Sequence, residues 1–128
     1  MSVARRKVLL IDDSEVALHF TSNVLTRAGF EVRSSTDPYQ LSNVLGGWRP
    51  DVILTDVDMP EITGVALCKM LKESYETAHV PVVLFSALPP EELEVLARDC
   101  DADGFLSKAN GLDQLPRELK LLIDTSLF

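Results

Sequence analysis

The chain has 128 residues, the size of one domain, and its 46% hydrophobic content can build a core without disulfide or metal staples. Twenty acidic and twelve basic side chains give a net charge of -8, which disfavours direct nucleic-acid binding because phosphate contacts need clustered lysine and arginine. Cys68 and Cys100 fit no disulfide framework or zinc motif, and the apolar run 8–11 is too short for a signal peptide or a membrane span. We therefore expect a cytoplasmic protein with no membrane segment.

Five strands are predicted from short runs that recur along the chain. Three are continuous apolar runs, which is typical of strands that helices cover on both faces of a parallel sheet. The second and fifth strands carry weaker signals. In chain order the predicted strands are Val8–Ile11, Glu31–Ser34, Val52–Leu54, Val82–Phe85 and Gly104–Ser107.

Helical patterns lie between these strands. Ser14 is predicted to cap the first helix and Gly29 to end it. Its apolar face is expected to carry Ala17, Phe20, Val24 and Ala28. The other helices are predicted from Asp37 to about Gly46, from Val65 to about Tyr75, from Pro89 to about Asp99, and from Gln114 to about Ser126 with Pro116 in the first turn.

Strict alternation of five strands and five helices predicts a doubly wound α/β fold with right-handed crossovers. For five parallel strands we expect a flavodoxin-like (βα)5 sheet with the strand order 2-1-3-4-5. The chain contains no internal repeat, low-complexity stretch or linker. Residues 1–128 are therefore expected to form one domain, with no second domain present.

Polar residues follow four of the predicted strands. They are Asp12 and Asp13 after the first strand, Asp56 and Asp58 after the third, Ser86 after the fourth and Lys108 after the fifth. In the predicted strand order these strand ends meet in one crevice, where such folds bind their ligands. Neighbouring carboxylates repel each other unless a cation joins them, and Mg²⁺ prefers oxygen ligands. A site that contains a metal ion, a lysine and a hydroxyl is well suited to bind a phosphoryl group.

Each residue also has a simpler interpretation when it is taken alone. Asp12 and Asp13 precede a helix and fit a capping role. Asp56 fits a turn, Ser86 fits the start of a helix, and Lys108 fits a solvated surface. These alternatives lose ground only when the residues are considered together.

Taken together, the residues carry a family resemblance that covers nearly the whole chain. The sequence resembles the receiver domain of two-component response regulators, and is similar to the single-domain chemotaxis-type regulators. The spacings are 43 residues from Asp13 to Asp56, 30 from Asp56 to Ser86, and 22 from Ser86 to Lys108. The matching pieces are Asp12-Asp13, the run Asp56-Val57-Asp58-Met59-Pro60, Gly64, Ser86-Ala87 and Lys108.

The resemblance implies a role for each residue. Asp56 would accept a phosphoryl group from a sensor histidine kinase or a phosphotransfer protein. Asp12, Asp13, Asp56 and the backbone carbonyl of Asp58 would bind Mg²⁺ or Mn²⁺. Lys108 and Ser86 would contact the phosphoryl oxygens. The family role is that of a signalling phosphoacceptor with self-catalysed phosphorylation and dephosphorylation, not that of an enzyme.

The resemblance also implies a switch. Ser86 would move towards the phosphoryl group, and Phe105 on the fifth strand would turn inward into the space that Ser86 leaves. This change would reshape the surface of helix four, strand five and helix five, which would control a downstream effector and is a candidate homodimer surface. Phe105 has no hydroxyl, so no tyrosine-type hydrogen bond is expected.

Two positions depart from the family or stand out within it. Ala109 follows Lys108 where the family usually has proline, often with a cis bond. A cis bond before a non-proline residue costs about 2.5–4 kcal/mol. We therefore expect a trans bond between Lys108 and Ala109. Leu88 lies two residues after Ser86, and an apolar side chain there predicts slow self-dephosphorylation because it hinders the attacking water.

Two other functions compete with the receiver interpretation. A haloacid dehalogenase-like, Mg²⁺-dependent phosphatase also uses Asp-x-Asp after an apolar strand, but there the motif belongs on the first strand and is normally followed by Gly and Thr or Val. A pseudo-receiver would keep the scaffold as an interaction module without accepting phosphate. Such domains generally lose one of the acidic pair, the acceptor or the lysine, and this chain keeps all of them.

Overall fold

A computed structural model describes residues 6–59 and 62–127 of the chain, so Pro60 of the matched run lies outside the described residues. Five parallel strands form one sheet in the order β2-β1-β3-β4-β5, which confirms the predicted topology. The strands are β1 (Lys7–Ile11), β2 (Glu31–Ser35), β3 (Val52–Thr55), β4 (Val82–Ser86) and β5 (Gly104–Ser107).

Five helices alternate with the strands, as predicted. The second begins as a 3₁₀ turn over Pro38–Gln40, and the fifth continues as a π-helical turn over Ile123–Leu127. No helix in the described part of the chain has the length and apolar character needed to cross a membrane. The helices are α1 (Glu15–Arg27), α2 (Leu41–Leu45), α3 (Gly64–Glu73), α4 (Pro90–Asp99) and α5 (Leu115–Leu122).

The sheet is covered on both faces, which explains why its central strands are apolar throughout. Residues such as Leu9, Ile53 and Leu84 point to one face and pack against α2, α3 and α4. Their sequence neighbours, such as Leu10 and Leu54, point to the other face and pack against α1 and α5. Complete burial of a leucine or isoleucine side chain contributes about 1.5–3 kcal/mol, so this two-sided core holds the strand ends in place.

The first helix corrects one prediction. Ser14 does cap α1, because its Oγ accepts a hydrogen bond from the amide of Ala17. The buried stripe, however, consists of Leu18, Thr21 and Leu25, whereas Phe20 is 56% exposed. Each buried residue follows a predicted one, so the true stripe is rotated by about 100° around the helix axis. The predicted face of Ala17, Phe20, Val24 and Ala28 is therefore wrong.

The end of α1 agrees with the prediction. Gly29 adopts φ +101°, a conformation that side-chain-bearing residues rarely take. The amide of Gly29 donates to the carbonyl of Thr26, and the amide of Phe30 donates to the carbonyl of Leu25. This pair of bonds is a Schellman motif, which turns the chain from the helix into β2.

Candidate functional site

Three carboxylates meet at the carboxyl edge of the sheet. Ile11 and Thr55 are paired in neighbouring strands, so Asp12 and Asp56, the residues that follow them, lie side by side. The amide of Asp56 donates to the carbonyl of Ile11 across a distance of 2.9 Å, which holds the two strand ends together. One carboxylate oxygen from each of Asp12, Asp13 and Asp56 lies within 4.8 Å of the other two. The predicted acidic site is therefore assembled by the sheet.

Both carboxylate oxygens of Asp12 have an interaction partner. Its Oδ1 accepts a hydrogen bond from the amide of Ser14 at 3.0 Å, and its Oδ2 lies 3.2 Å from the ammonium of Lys108. Ser14 rather than Asp13 caps α1, which leaves the exposed carboxylate of Asp13 at the rim of the cluster. The simple capping interpretation thus applies to neither carboxylate of the pair.

Asp56 has two oxygens in different surroundings. Oδ1 accepts hydrogen bonds from the amides of Val57 at 2.8 Å and Asp58 at 3.4 Å, whereas Oδ2 faces Lys108 at 3.7 Å. Burial raises the pKa of Asp56 above its ordinary value and the charge of Asp12 adds to the rise, while Lys108 and the two amides oppose it. The ionised carboxylate is therefore held at a free-energy cost, which is typical of a reactive group.

The ammonium of Lys108 contacts two carboxylates of the cluster. Lys108 follows β5, and its Nζ lies between Asp12 and Asp56 while also lying 5.3 Å from the centre of the Phe85 ring. No peptide bond among the described residues is cis, so the bond from Lys108 to Ala109 is trans. The turn is closed instead by the Ser107 hydroxyl, which accepts a hydrogen bond from the amide of Ala109 at 3.1 Å. A proline at 109 would have no amide to make this bond.

Ser86 and Phe105 lie on the two strands that complete the crevice. Ser86 ends β4 beside Ser107, is buried, and accepts a hydrogen bond from the amide of Leu88 at 3.1 Å. Phe105 lies on β5, where it is paired with Leu84 of β4. It is half-buried and packs against the core on the α4 side. Ser86 therefore lies at the carboxyl end of β4, and Phe105 lies on the face of the sheet that α4 covers.

The loop after the acidic cluster is fixed by close backbone packing. The amide of Gly64 donates to the carbonyl of Val57 at 3.0 Å, and Asp58 forms an isolated antiparallel bridge with Thr63. A Cβ atom on Gly64 would lie 2.7 Å from the Cα of Val57, which real contacts do not tolerate. The side chain of Asp58 is exposed, so the two aspartates of the Asp-x-Asp pair are not equivalent.

The donor set of this cluster fits a hard divalent cation. Carboxylate oxygens from three residues converge from two strand ends, and oxygen-only ligands are what Mg²⁺ and Mn²⁺ accept. The ammonium of Lys108 offsets part of the negative charge but leaves the cluster with an excess of carboxylates. The residues that would hold the ion are Asp12, Asp13 and Asp56.

Three residues at the site were not predicted from sequence. Phe85 lies beneath Lys108, Ser107 closes the turn that carries it, and the buried hydroxyl of Thr55 donates to the carbonyl of Asp56 at 2.9 Å. Each directly precedes a residue that was predicted. Their positions next to Ser86, Lys108 and Asp56 were therefore the only sequence signal for these three residues. That signal does not reveal what their side chains contact.

Together these features define a class of domain: a doubly wound parallel α/β domain with a cation-accepting acidic site and a lysine at its carboxyl edge. The response regulator receiver domain family matches residues 8–120, and the chain belongs to that family. Receiver domains are phosphoacceptor domains of two-component systems; they bind Mg²⁺ at an acidic pocket and interact with histidine kinases or phosphotransfer proteins and with downstream effectors.

Individual relatives agree with this membership. The chain is 26% identical to the DNA-binding dual master transcriptional regulator RpaA of Synechocystis over 91% of its own length and 48% of RpaA. It is 25% identical to the polar-differentiation response regulator DivK of Brucella anthropi, over 80% of this chain and 84% of DivK. The solved structure of the chemotaxis response regulator CheY4 of Vibrio cholerae is similar with a TM-score of 0.80 and 27% identity, over 93% of this chain and 99% of CheY4.

These matches differ in how much of each relative they include. The chain spans about half the length of RpaA, but most of the length of DivK and nearly all of CheY4.

Proposed function

We propose that Asp56 accepts a phosphoryl group from a phosphohistidine on a sensor histidine kinase or a phosphotransfer protein, with Mg²⁺ or Mn²⁺ as cofactor. The observation that carries this proposal is the position of Lys108, whose ammonium lies 3.7 Å from Asp56 Oδ2 and 3.2 Å from Asp12 Oδ2. A fixed positive charge beside one carboxylate oxygen suits a group that arrives with several negatively charged oxygens.

In the proposed transfer, a carboxylate oxygen of Asp56 forms a bond to phosphorus while the phosphorus–nitrogen bond of the phosphohistidine breaks. The bonding electron pair returns to the imidazole nitrogen of the donor. Lys108 stabilises the negative charge of the phosphoryl oxygens, and the amides of Val57 and Asp58 keep Oδ1 of Asp56 oriented. Asp12, Asp13, Asp56 and the backbone carbonyl of Asp58 would hold the metal ion, which would neutralise part of the negative charge at the site.

We further propose that Ser86 and Phe105 convert this chemistry into a change of surface. The Ser86 hydroxyl leaves the amide of Leu88 to donate a hydrogen bond to the phosphoryl group. Phe105, which is half-buried, then moves inward next to α4. The α4–β5–α5 surface changes as a result, which controls a downstream effector or a homodimer. This is a population shift that one charged group biases.

The remaining features of the proposal follow from composition and the family. Residues 1–128 act as one receiver domain in the cytoplasm, and the phosphorylation and dephosphorylation steps are self-catalysed. Direct nucleic-acid contact is not part of the proposed role, because the net charge is -8. A pseudo-receiver and a phosphatase are less well supported. The first would not need the charged cluster, and the second requires the exposed Asp58 as an acid.

Incubation of the chain with acetyl phosphate tests the proposal. We expect one phosphoryl group per chain in the presence of Mg²⁺, none after chelation, and none in Asp56→Asn. Asp58→Asn is the matched control, because it removes a carboxylate two residues away whose side chain is exposed, and it should only change the rate. Multiple turnover of phosphate esters, or loss of reaction in Asp58→Asn, would favour the phosphatase instead.

A further inference from the structure

An aromatic ring lies beside the lysine of the site. The centre of the Phe85 ring is 5.3 Å from the Nζ atom of Lys108, within the range of a cation–π interaction. Phe85 is only 7% exposed, whereas the lysine side chain is 29% exposed. The ring therefore lies within the core, and the ammonium of Lys108 lies next to it at the protein surface.

The strand positions the ring for this contact. Phe85 precedes Ser86 on β4 and points to the α1 and α5 side of the sheet, where it packs in the core. It is paired with Leu106 on β5, two residues before Lys108. The ring also forms part of the wall of a small cavity of about 10 Å³, whose lining includes the side of the acidic cluster at Asp12 and Asp56.

The other two contacts of the ammonium are with carboxylates that belong to the proposed metal site. Asp12 Oδ2 is 3.2 Å and Asp56 Oδ2 is 3.7 Å from Lys108 Nζ. A divalent cation competes for these same oxygens, because both positive charges are attracted to one acidic cluster. The Phe85 ring is neutral and offers no metal ligand. Its attraction for the ammonium is therefore independent of what the carboxylates bind.

We propose that Phe85 is a positioning residue, whose ring holds the ammonium of Lys108 beside Asp56 through a cation–π contact. The inference rests on the proposed function of the site. A lysine side chain carries its ammonium on a flexible stem of about four carbons and loses much conformational freedom when it is fixed. A contact that restricts this freedom before the phosphoryl group arrives lowers the barrier to transfer, because the charge already lies where it is needed.

The test replaces Phe85 with phenylalanines that carry one, two and three ring fluorines. Fluorine withdraws electrons from the ring face and weakens a cation–π contact while the size of the ring changes little. We expect the maximal rate of phosphorylation by acetyl phosphate with saturating Mg²⁺ to fall progressively, by about threefold to tenfold across the series. The same series at Phe30 is the control, since Phe30 is buried in the same core but lies at the opposite edge of the sheet, just before β2.

A second readout does not depend on activity. In the metal-free chain, the ring current of Phe85 should shift the ε-methylene protons of Lys108 upfield, and Phe85→Leu should remove that shift. An absent shift in the native chain, or a rate that is flat across the fluorinated series while the native chain is phosphorylated normally, would overturn the positioning role. Failure of the native chain to become phosphorylated would instead reject the proposed function on which this role depends.

Discussion

The Nζ atom of Lys108 lies 3.2 Å from Oδ2 of Asp12, so that residues 96 positions apart in the chain form an ion pair across the crevice. Asp56 lies close by, with its Oδ2 at 3.7 Å from the same ammonium. The lysine therefore neutralises part of the charge that would attract a metal ion. Its charge and that of a divalent cation are in direct competition at this site.

The first prediction concerns this competition. Lys108→Met should increase the affinity for Mg²⁺ by about threefold to tenfold, because it removes a positive charge that lies 3.2 Å and 3.7 Å from two of the ligand oxygens while keeping an unbranched side chain. Titration calorimetry of the two proteins measures the effect. Lys72→Met is the matched control, since Lys72 pairs with Asp103 at 2.7 Å and not with the acidic cluster. Unchanged or weaker Mg²⁺ binding in Lys108→Met would contradict the competition.

The second prediction concerns stability and pH. In the folded chain burial raises the pKa of Asp56 above its ordinary value. The native state therefore binds a proton more tightly than the unfolded state, and native stability falls as the pH rises through the interval between the two pKa values. Above that interval the ionised carboxylate destabilises the fold. Asp56→Asn should then raise the free energy of unfolding at neutral pH by an amount on the order of 1 kcal/mol.

The gain from Asp56→Asn should fade as the pH falls through the same interval, because the native carboxyl then becomes neutral as well. Urea denaturation in the presence of a chelator, at neutral pH and at about pH 3, below the ordinary pKa of an aspartate, measures both ends of the effect. Asp99→Asn, at an exposed carboxylate at the end of α4, is the control. A gain that is the same at both pH values would show that desolvation of the charge is not its cause.

The third prediction concerns the loop after Asp56. Gly64→Ala should destabilise the fold by about 1–3 kcal/mol, although alanine favours a helix, because the new methyl group would lie 2.7 Å from both Cα and Cβ of Val57. It should also slow phosphorylation by displacing the Val57 amide that binds Asp56. Gly104→Ala is the comparison, since the nearest atom to its methyl group would be the end of the flexible side chain of Leu122, at 3.1 Å. Equal effects of the two substitutions would reject a special role for the Val57 contact.

The fourth prediction concerns the lifetime of the phosphorylated state. Leu88 is half-buried, and its amide is bonded to Ser86. Leu88→Glu should accelerate decay of the aspartyl phosphate, because a carboxylate there would orient water where the native chain presents an apolar side chain. Loss of phosphate after removal of the donor measures the rate, with Leu88→Met as the apolar control. Equal lifetimes for all three proteins would remove the basis for this shielding role.

The sequence was sufficient for the topology because the physical signals were local and consistent. Buried strands such as Val82–Ser86 are continuous apolar runs, and polar residues mark the positions where the chain leaves the sheet. Ser14 and Gly29 marked the ends of α1 through caps with known chemistry. These features depend on neighbours in the chain, which sequence displays directly.

The buried face of α1 was predicted wrongly because the residue types on this helix do not match their burial. Two stripes compete on that helix, and the buried one includes the polar Thr21, while the exposed one includes the large apolar Phe20. Hydrophobicity alone favours the wrong stripe. The contact of Phe85 with Lys108 was hidden for a different reason: it joins residues 23 positions apart through side-chain geometry, which no pattern of residue types specifies.

In the proposed function the side chain of Asp56, and no other carboxylate of the cluster, receives the phosphoryl group. The most direct measurement phosphorylates the chain with acetyl phosphate and Mg²⁺, reduces the acyl phosphate with borohydride, and locates the resulting homoserine by peptide mass spectrometry. We expect homoserine at position 56 alone and none after chelation of the metal. Homoserine at position 12, 13 or 58, or at no position in a folded chain, would contradict it.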